Sequence, residues 1–286
     1  MNIKELLTVL PQYALPHHAL SGLMSHLTHC TNPIWKNAFI KTVSCLYGVD
    51  MKEAKYPDLE HYESFNAFFT RELKEGVRPI ASDPRAIACP ADGVVSQAGR
   101  IEHGRIFQAK GHHYSTVELL GGDEQRASTF ENGRFATIYL SPRDYHRLHM
   151  PLAGKLTQMV HVPGRLFSVN DTTVGAVPNL FARNERVVCI FETQAGPMAL
   201  ILVGAIFVSS IETVWHGVVT PPTISQPRCW DYGAEAPVLG KGEEMGRFNM
   251  GSTIIVLFGE NNVDWQDDFV AGLPVMLGSA IGEIRQ

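Results

Sequence analysis

From about residue 86 onward the chain is written in short runs of β-branched and aromatic residues, each closed off by Gly, Pro, Asn or Asp. The clearest are Arg134–Leu140, Arg186–Glu192, Met198–Val208 and Ile211–Val219. Runs of this length and spacing suit antiparallel strands rather than helices, so the pattern predicts a β core. The first 85 residues follow another rule. Ala19, Leu20, Leu23, Met24 and Leu27 recur at helical spacing, as do Trp35, Ala38, Phe39, Val43 and Leu46. Phe65, Phe68, Phe69 and Leu73 suggest one more helix, with Ser64 as its N-cap. The expected class is α+β: a helical arm over 1–85 carried by a largely antiparallel, β-rich body over 86–286.

With 286 residues, 45% of them apolar, the chain can bury a substantial core. A net charge of −5 without a basic cluster argues against nucleic acid as a partner. The five cysteines, Cys30, Cys45, Cys89, Cys189 and Cys229, are odd in number and form no Cys-x-x-Cys pair, which reads as reduced thiols in a cytoplasmic protein. Glu5 and Pro11 interrupt the N-terminus where a signal peptide needs its apolar core, and no apolar run is long enough to span a bilayer. Residues 1–50 hold three lysines against two acids, a charge of +1 where the rest sums to −6. Trp35, Phe39 and Tyr47, with Lys36 and Lys41 nearby, suit the lipid headgroup boundary. The arm therefore either packs on the core or docks on a membrane, and His17, His18, His26 and His29 could add charge at mildly acidic pH.

Three places in the body concentrate chemistry. In PADG, Asp92 stands beside Gly93 just before a strand, where it serves equally well as a turn acid. In YLSPRDYHRLHMP at 139–151, Ser141, Pro142 and Asp144 predict a brief helix that would project His146 and His149 to one side. In FNMGSTIIVLF at 248–258, a Gly-Ser pair opens an otherwise apolar run, which a β-bulge would also explain. A zinc site built on Asp92, His146 and His149 is one reading, in which the chain is a metal-dependent hydrolase. It leaves Gly251-Ser252 unexplained. In the other reading Asp92 orients His149 and His149 takes the Ser252 proton. The serine has no Gly-x-Ser-x-Gly context, and the nearest carbonyl is that of Gly251 itself. Attack there is intramolecular, with a proximity advantage of up to about 7–11 kcal/mol, and a residue without Cβ leaves the carbonyl open.

The chain resembles the bacterial-type phosphatidylserine decarboxylase proenzymes. The resemblance is carried by FNAFFTREL at 65–73, PADGVVSQ at 90–97, QAKGHHYS at 108–115, YLSPRDYHRLHMP at 139–151, VPGRLFSVN at 162–170, VPNLFARNERV at 177–187, GAIFVSSIETVWHG at 204–217 and KGEEMGRFNMGSTIIVLF at 241–258. Met250 stands where the family's cleavage motif usually has leucine.

The resemblance implies self-cleavage between Gly251 and Ser252 into a β chain of 1–251 and an α chain of 252–286 that stay associated. It implies that Asp92, His149 and Ser252 form the processing triad, and that Ser252 becomes a covalent pyruvoyl group, the cofactor and Schiff-base site. His146 is expected to act as acid or base in decarboxylation. The implied reaction turns phosphatidylserine in the bilayer into phosphatidylethanolamine at the cytoplasmic face of the cell membrane, by a peripheral enzyme. Lys110, His112, His113, Arg183, Asn184 and Arg186 are candidates for contact with the substrate's phosphate or carboxylate. A non-enzymatic membrane-surface module using residues 1–50 is the remaining alternative.

Overall fold

The computed structural model describes residues 3–208, 210–221 and 224–285. Three helices lead the chain: α1 (Ile3–Ala14), α2 (His17–His29) and α3 (Pro33–Tyr47). The third is delimited by local chemistry alone. Asn32 accepts from the Ile34 and Trp35 amides, Pro33 opens the first turn, and Gly48 closes the helix at φ +65°. A short α4 (Phe65–Phe69) starts where Ser64 accepts from Ala67 N, as its sequence predicts, but stops before Leu73. Leu73 instead bridges to Ala54. Helix α1 was not legible as such, because it carries Pro11 inside it.

The helices lie against the body. Val9 joins the main core, and the Gln12 side chain exchanges hydrogen bonds with Ser168. His17 is buried and accepts from Leu166 N, and its pKa is lowered by burial and then by Arg165, so it adds no surface charge. Lys36 is also withdrawn from the surface, donating to Asn37 Oδ1 and Glu60 O. Ile40 of α3 packs with Tyr62, Phe65, Phe68 and Phe69 into a small second core, against which Met250 is seated.

The body is antiparallel, as the run lengths predict. Its largest sheet has nine strands among the described residues, and Thr253–Phe258 lies inside it between Gly196–Val203 and Arg134–Tyr139. Every side chain of Thr253–Phe258 is buried, which accounts for its unbroken apolar run. A second sheet of four strands holds Glu244–Asn249 between Ser210–Thr213 and Arg147–His149. Two expected strands are shorter than their sequence runs. Met198–Val208 ends as a strand at Val203, and Ile211–Val219 folds back at a turn with Gly217 at φ +75° to give Ser210–Thr213 and Gly217–Val218. The Gly251-Ser252 pair is thus no bulge. Met250, Gly251 and Ser252 form the crossover from the interior of one sheet to the interior of the other.

Candidate active site

The crossover is held under tension at one residue. Met250 takes φ +77°, which a side-chain-bearing residue adopts at a cost of about 1–3 kcal/mol. Gly251 owes its identity to a neighbour: a Cβ there would lie 1.9 Å from His146 Cδ2 and 2.0 Å from Nε2. The imidazole rests directly on the glycine, with the Phe69 ring 3.9 Å away between centroids. Ser252 is 0% exposed; its carbonyl accepts from Leu140 N at 2.8 Å and its Oγ has no hydrogen-bond partner among the described residues.

His146 is likewise 0% exposed, and its Nδ1 lies 2.8 Å from the Asp144 carbonyl. A carbonyl only accepts, so the proton sits on Nδ1 and leaves Nε2 bare. Nε2 also has no partner among the described residues. Burial, reinforced by the positive charge of Arg71, lowers its pKa to about 3. A neutral base and a buried hydroxyl are therefore both found at this crossover. They stand at the end of a cavity of about 450 Å³ that runs between α3, α4 and the body and reaches His146 and Gly251. Leu46, Tyr47 and Phe207 line this cavity and are also exposed, placing an apolar rim at its mouth.

The expected brief helix over 141–149 does not form. Ser141 N donates to the Asp144 carboxylate and Asp144 N returns to Ser141 O, closing a single turn. The chain then extends, with Phe248 N donating to His146 O, and enters the sheet as Arg147–His149. Residues three apart on extended chain point to opposite faces. His146 accordingly meets Gly251, while His149 turns away: its Nδ1 donates to Gly242 O at 2.8 Å and its Nε2 accepts from Tyr145 OH at 3.2 Å. Burial lowers the His149 pKa as well. Asp92 makes no hydrogen bond to His149 in this conformation. Its carboxylate takes Arg78 Nε at 2.9 and 3.1 Å, Arg78 Nη2 at 2.7 Å and Leu277 N at 2.8 Å.

The profile of the phosphatidylserine decarboxylase family matches residues 65–283, and a second profile, described as PSD, matches residues 7–48. The chain belongs to the phosphatidylserine decarboxylase family. It is 58% identical over 282 residues to a phosphatidylserine decarboxylase proenzyme of Pseudomonas fluorescens, covering 98% of both chains. Proenzymes of the same description from Pseudomonas aeruginosa and Ectopseudomonas mendocina are each 57% identical, over 100% and 99% of this chain and 100% of their own.

Within this member of the phosphatidylserine decarboxylase family, the zinc alternative loses its ligands. Asp92 is engaged by Arg78 and the two rings diverge; among the described residues no group of three His, Cys, Asp or Glu is placed to hold a metal. Two of the expected anion contacts are structural. Arg186 is buried, donating to the carbonyls of Leu119, Ala182, Asn184 and Glu118, and Asn184 is buried on Phe167 and Gly204. Arg183 lies over the Tyr13 and Phe167 rings, and none of the six candidates lines the cavity. Sequence reasoning missed the roles of Phe69 and Arg71, although both fall inside FNAFFTREL. It missed Arg78 outright, which no quoted motif covers.

Proposed function

We propose that the chain decarboxylates phosphatidylserine to phosphatidylethanolamine with a pyruvoyl group made from its own Ser252. One observation carries the reading: the Ser252 hydroxyl within a strained crossover and His146 Nε2 against it are both buried and without partners among the described residues, beside a largely apolar cavity. Ser252 Oγ gives up its proton and attacks the Gly251 carbonyl carbon; the amide C–N bond breaks as the ester C–O bond forms, and the amine takes the proton. Loss of the Ser252 α proton then breaks the Cβ–Oγ bond and releases the Gly251 carboxylate. Water converts the dehydroalanine left behind to pyruvoyl and ammonia. Relief of the Met250 backbone favours scission. The new α chain begins at the edge of a fully buried strand and keeps both its neighbours, so the two products stay associated.

When present, the ketone and its adjacent amide draw off the electrons that carbon dioxide leaves behind. His146 supplies the proton traffic. Its bare Nε2 beside Gly251 relays a proton to the α carbon, a contribution of about 10²–10⁴-fold. Phe69 packs against the ring and Gly251 lies at its Cδ2–Nε2 edge, which together restrict its position.

Which histidine serves the cut is decided by two variants. The family resemblance assigns the base to His149, supported by Asp92; to act, its ring must leave Gly242 and Tyr145. The proximity of His146 to Gly251 favours His146 for both steps. With His149 as base, His149→Ala stays full length and Asp92→Asn is cut only slowly, whereas His146→Ala is cut yet turns over slowly. With His146 as base, His146→Ala stays uncut and His149→Ala is processed. Denaturing mass spectrometry reads both. Wild-type protein should give two fragments, the smaller starting with a blocked residue reducible by borohydride, and Ser252→Ala should give one inactive chain. Full turnover by an intact chain would refute the function.

Substrate is met at a bilayer. No helix among the described residues is long and apolar enough to cross one. The cavity mouth instead presents Leu46 and Tyr47 on α3, beside Phe207, and the protein lies peripherally on the cytoplasmic face of the membrane.

A further inference from the structure

We propose that Arg78 is a positioning residue for self-cleavage: its two-pronged guanidinium sets where the Asp92 carboxylate stands relative to the histidine-bearing strand. The proposal rests on the reading of Asp92 as a processing residue.

Asp92 is only 7% exposed, and a carboxylate at that depth needs a countercharge and a full set of donors. Arg78 supplies both. Its Nε is shared between the two carboxylate oxygens and its Nη2 bonds to Oδ2, while the opposite side of Oδ1 is taken by Leu277 N. The guanidinium is itself pinned, with Nη2 reaching Glu53 Oε2 at 2.7 Å and Nη1 reaching Val77 O at 3.0 Å. These bonds, those to Asp92 first, raise the Arg78 pKa further above its already high value. An ammonium cannot reproduce a fork that spans Asp92, Glu53 and a backbone carbonyl at once.

The position so fixed matters to His149. The His149 amide donates to Pro90 O at 2.9 Å, which ties the Pro90–Asp92 turn to the histidine strand. A carboxylate accepts about four hydrogen bonds. These four contacts, two on each oxygen, fill the carboxylate, so a His149 ring released from Gly242 takes its place on Oδ2 by displacing the longer, 3.1 Å arm from Arg78 Nε. Arg78 does not line the cavity, so it acts through Asp92 and not on the substrate.

The test follows full-length chain to two fragments after a pulse of cell-free synthesis. Arg78→Lys should slow cleavage by about 100-fold, the scale on which a misplacement near 1 Å acts. In an Asp92→Asn background the same change should slow the residual cleavage no further. Glu53→Gln, at a half-exposed partner of the guanidinium, should give a smaller slowing that Asp92→Asn also absorbs. It decides the matter should Arg78→Lys fail to melt cooperatively in a Ser252→Ala background. Cleavage of both variants at the wild-type rate, acceleration in either, or slowing that multiplies with that of Asp92→Asn overturns the proposal. Wild-type cleavage by Asp92→Asn alone instead overturns the underlying role of Asp92.

Discussion

Gly251 is glycine because an imidazole occupies the space its side chain would need. Gly251→Ala should therefore remain uncut, and in the Ser252→Ala background it should lower stability by about 1–3 kcal/mol through overpacking. Adding His146→Ala vacates the space and should return most of that loss in a urea melt. If the double variant is no more stable than Gly251→Ala, the contact is not what excludes the side chain. Reading the residues alone, the absence of Cβ at Gly251 suggested an open carbonyl. The strain lies one residue earlier, at Met250, and the open space is filled by His146. Sequence could rank Gly-Ser as the bond to break, since that choice depends on which nucleophile sits beside which carbonyl. It could not tell which histidine ring would lie on it.

At the scale of elements, a stop signal or a pairing partner decided each outcome. Helix α3 was legible in its apolar spacing because cap, proline and glycine are all local. The tract at 141–149 was misread as a helix because its competing partner, Glu244–Asn249, lies almost a hundred residues away. Register with that strand, rather than local propensity, sent His146 and His149 to opposite faces. The leading helices also divide their labour. Val9, Gln12 and His17 tie α1 and α2 to the body, whereas Leu46 of α3 is 72% exposed at the cavity mouth. Leu46→Glu should leave cleavage and melting unchanged. If α3 enters the headgroup layer, the loss of about 1.5–3 kcal/mol of apolar burial lowers turnover on phosphatidylserine vesicles by about tenfold or more. Turnover on a short-chain, monomeric substrate should fall much less, and equal losses on the two substrates would remove the docking role.

Across the whole molecule, three histidines, the buried His17 and His146 and the partly buried His149, have pKa values lowered chiefly by burial. Unfolding returns them to about 6.5, so below that pH the unfolded chain binds more protons than the folded one. Their contribution is intact above that value and is lost as pH falls toward the folded pKa, about 3 for His146. The urea midpoint of Ser252→Ala should thus fall between about pH 7 and pH 5, before the carboxylate of Asp264, held down to about 2 by Arg285 and Arg134, begins to matter. A midpoint that stays level over this range would contradict the burial of these rings as neutral bases. By itself the sequence determined the class of fold and the β-rich body, because hydrophobic period is a property of neighbours along the chain, and the adjacency of nucleophile and carbonyl is what puts the Gly251-Ser252 link forward as the proposed cleavage site. Only the tertiary structure decided that this link joins the interiors of two sheets, that His146 covers it, and that Arg78 holds Asp92. Those pairings join residues far apart in sequence, brought together by strand register and by burial of charge, and no local pattern encodes either.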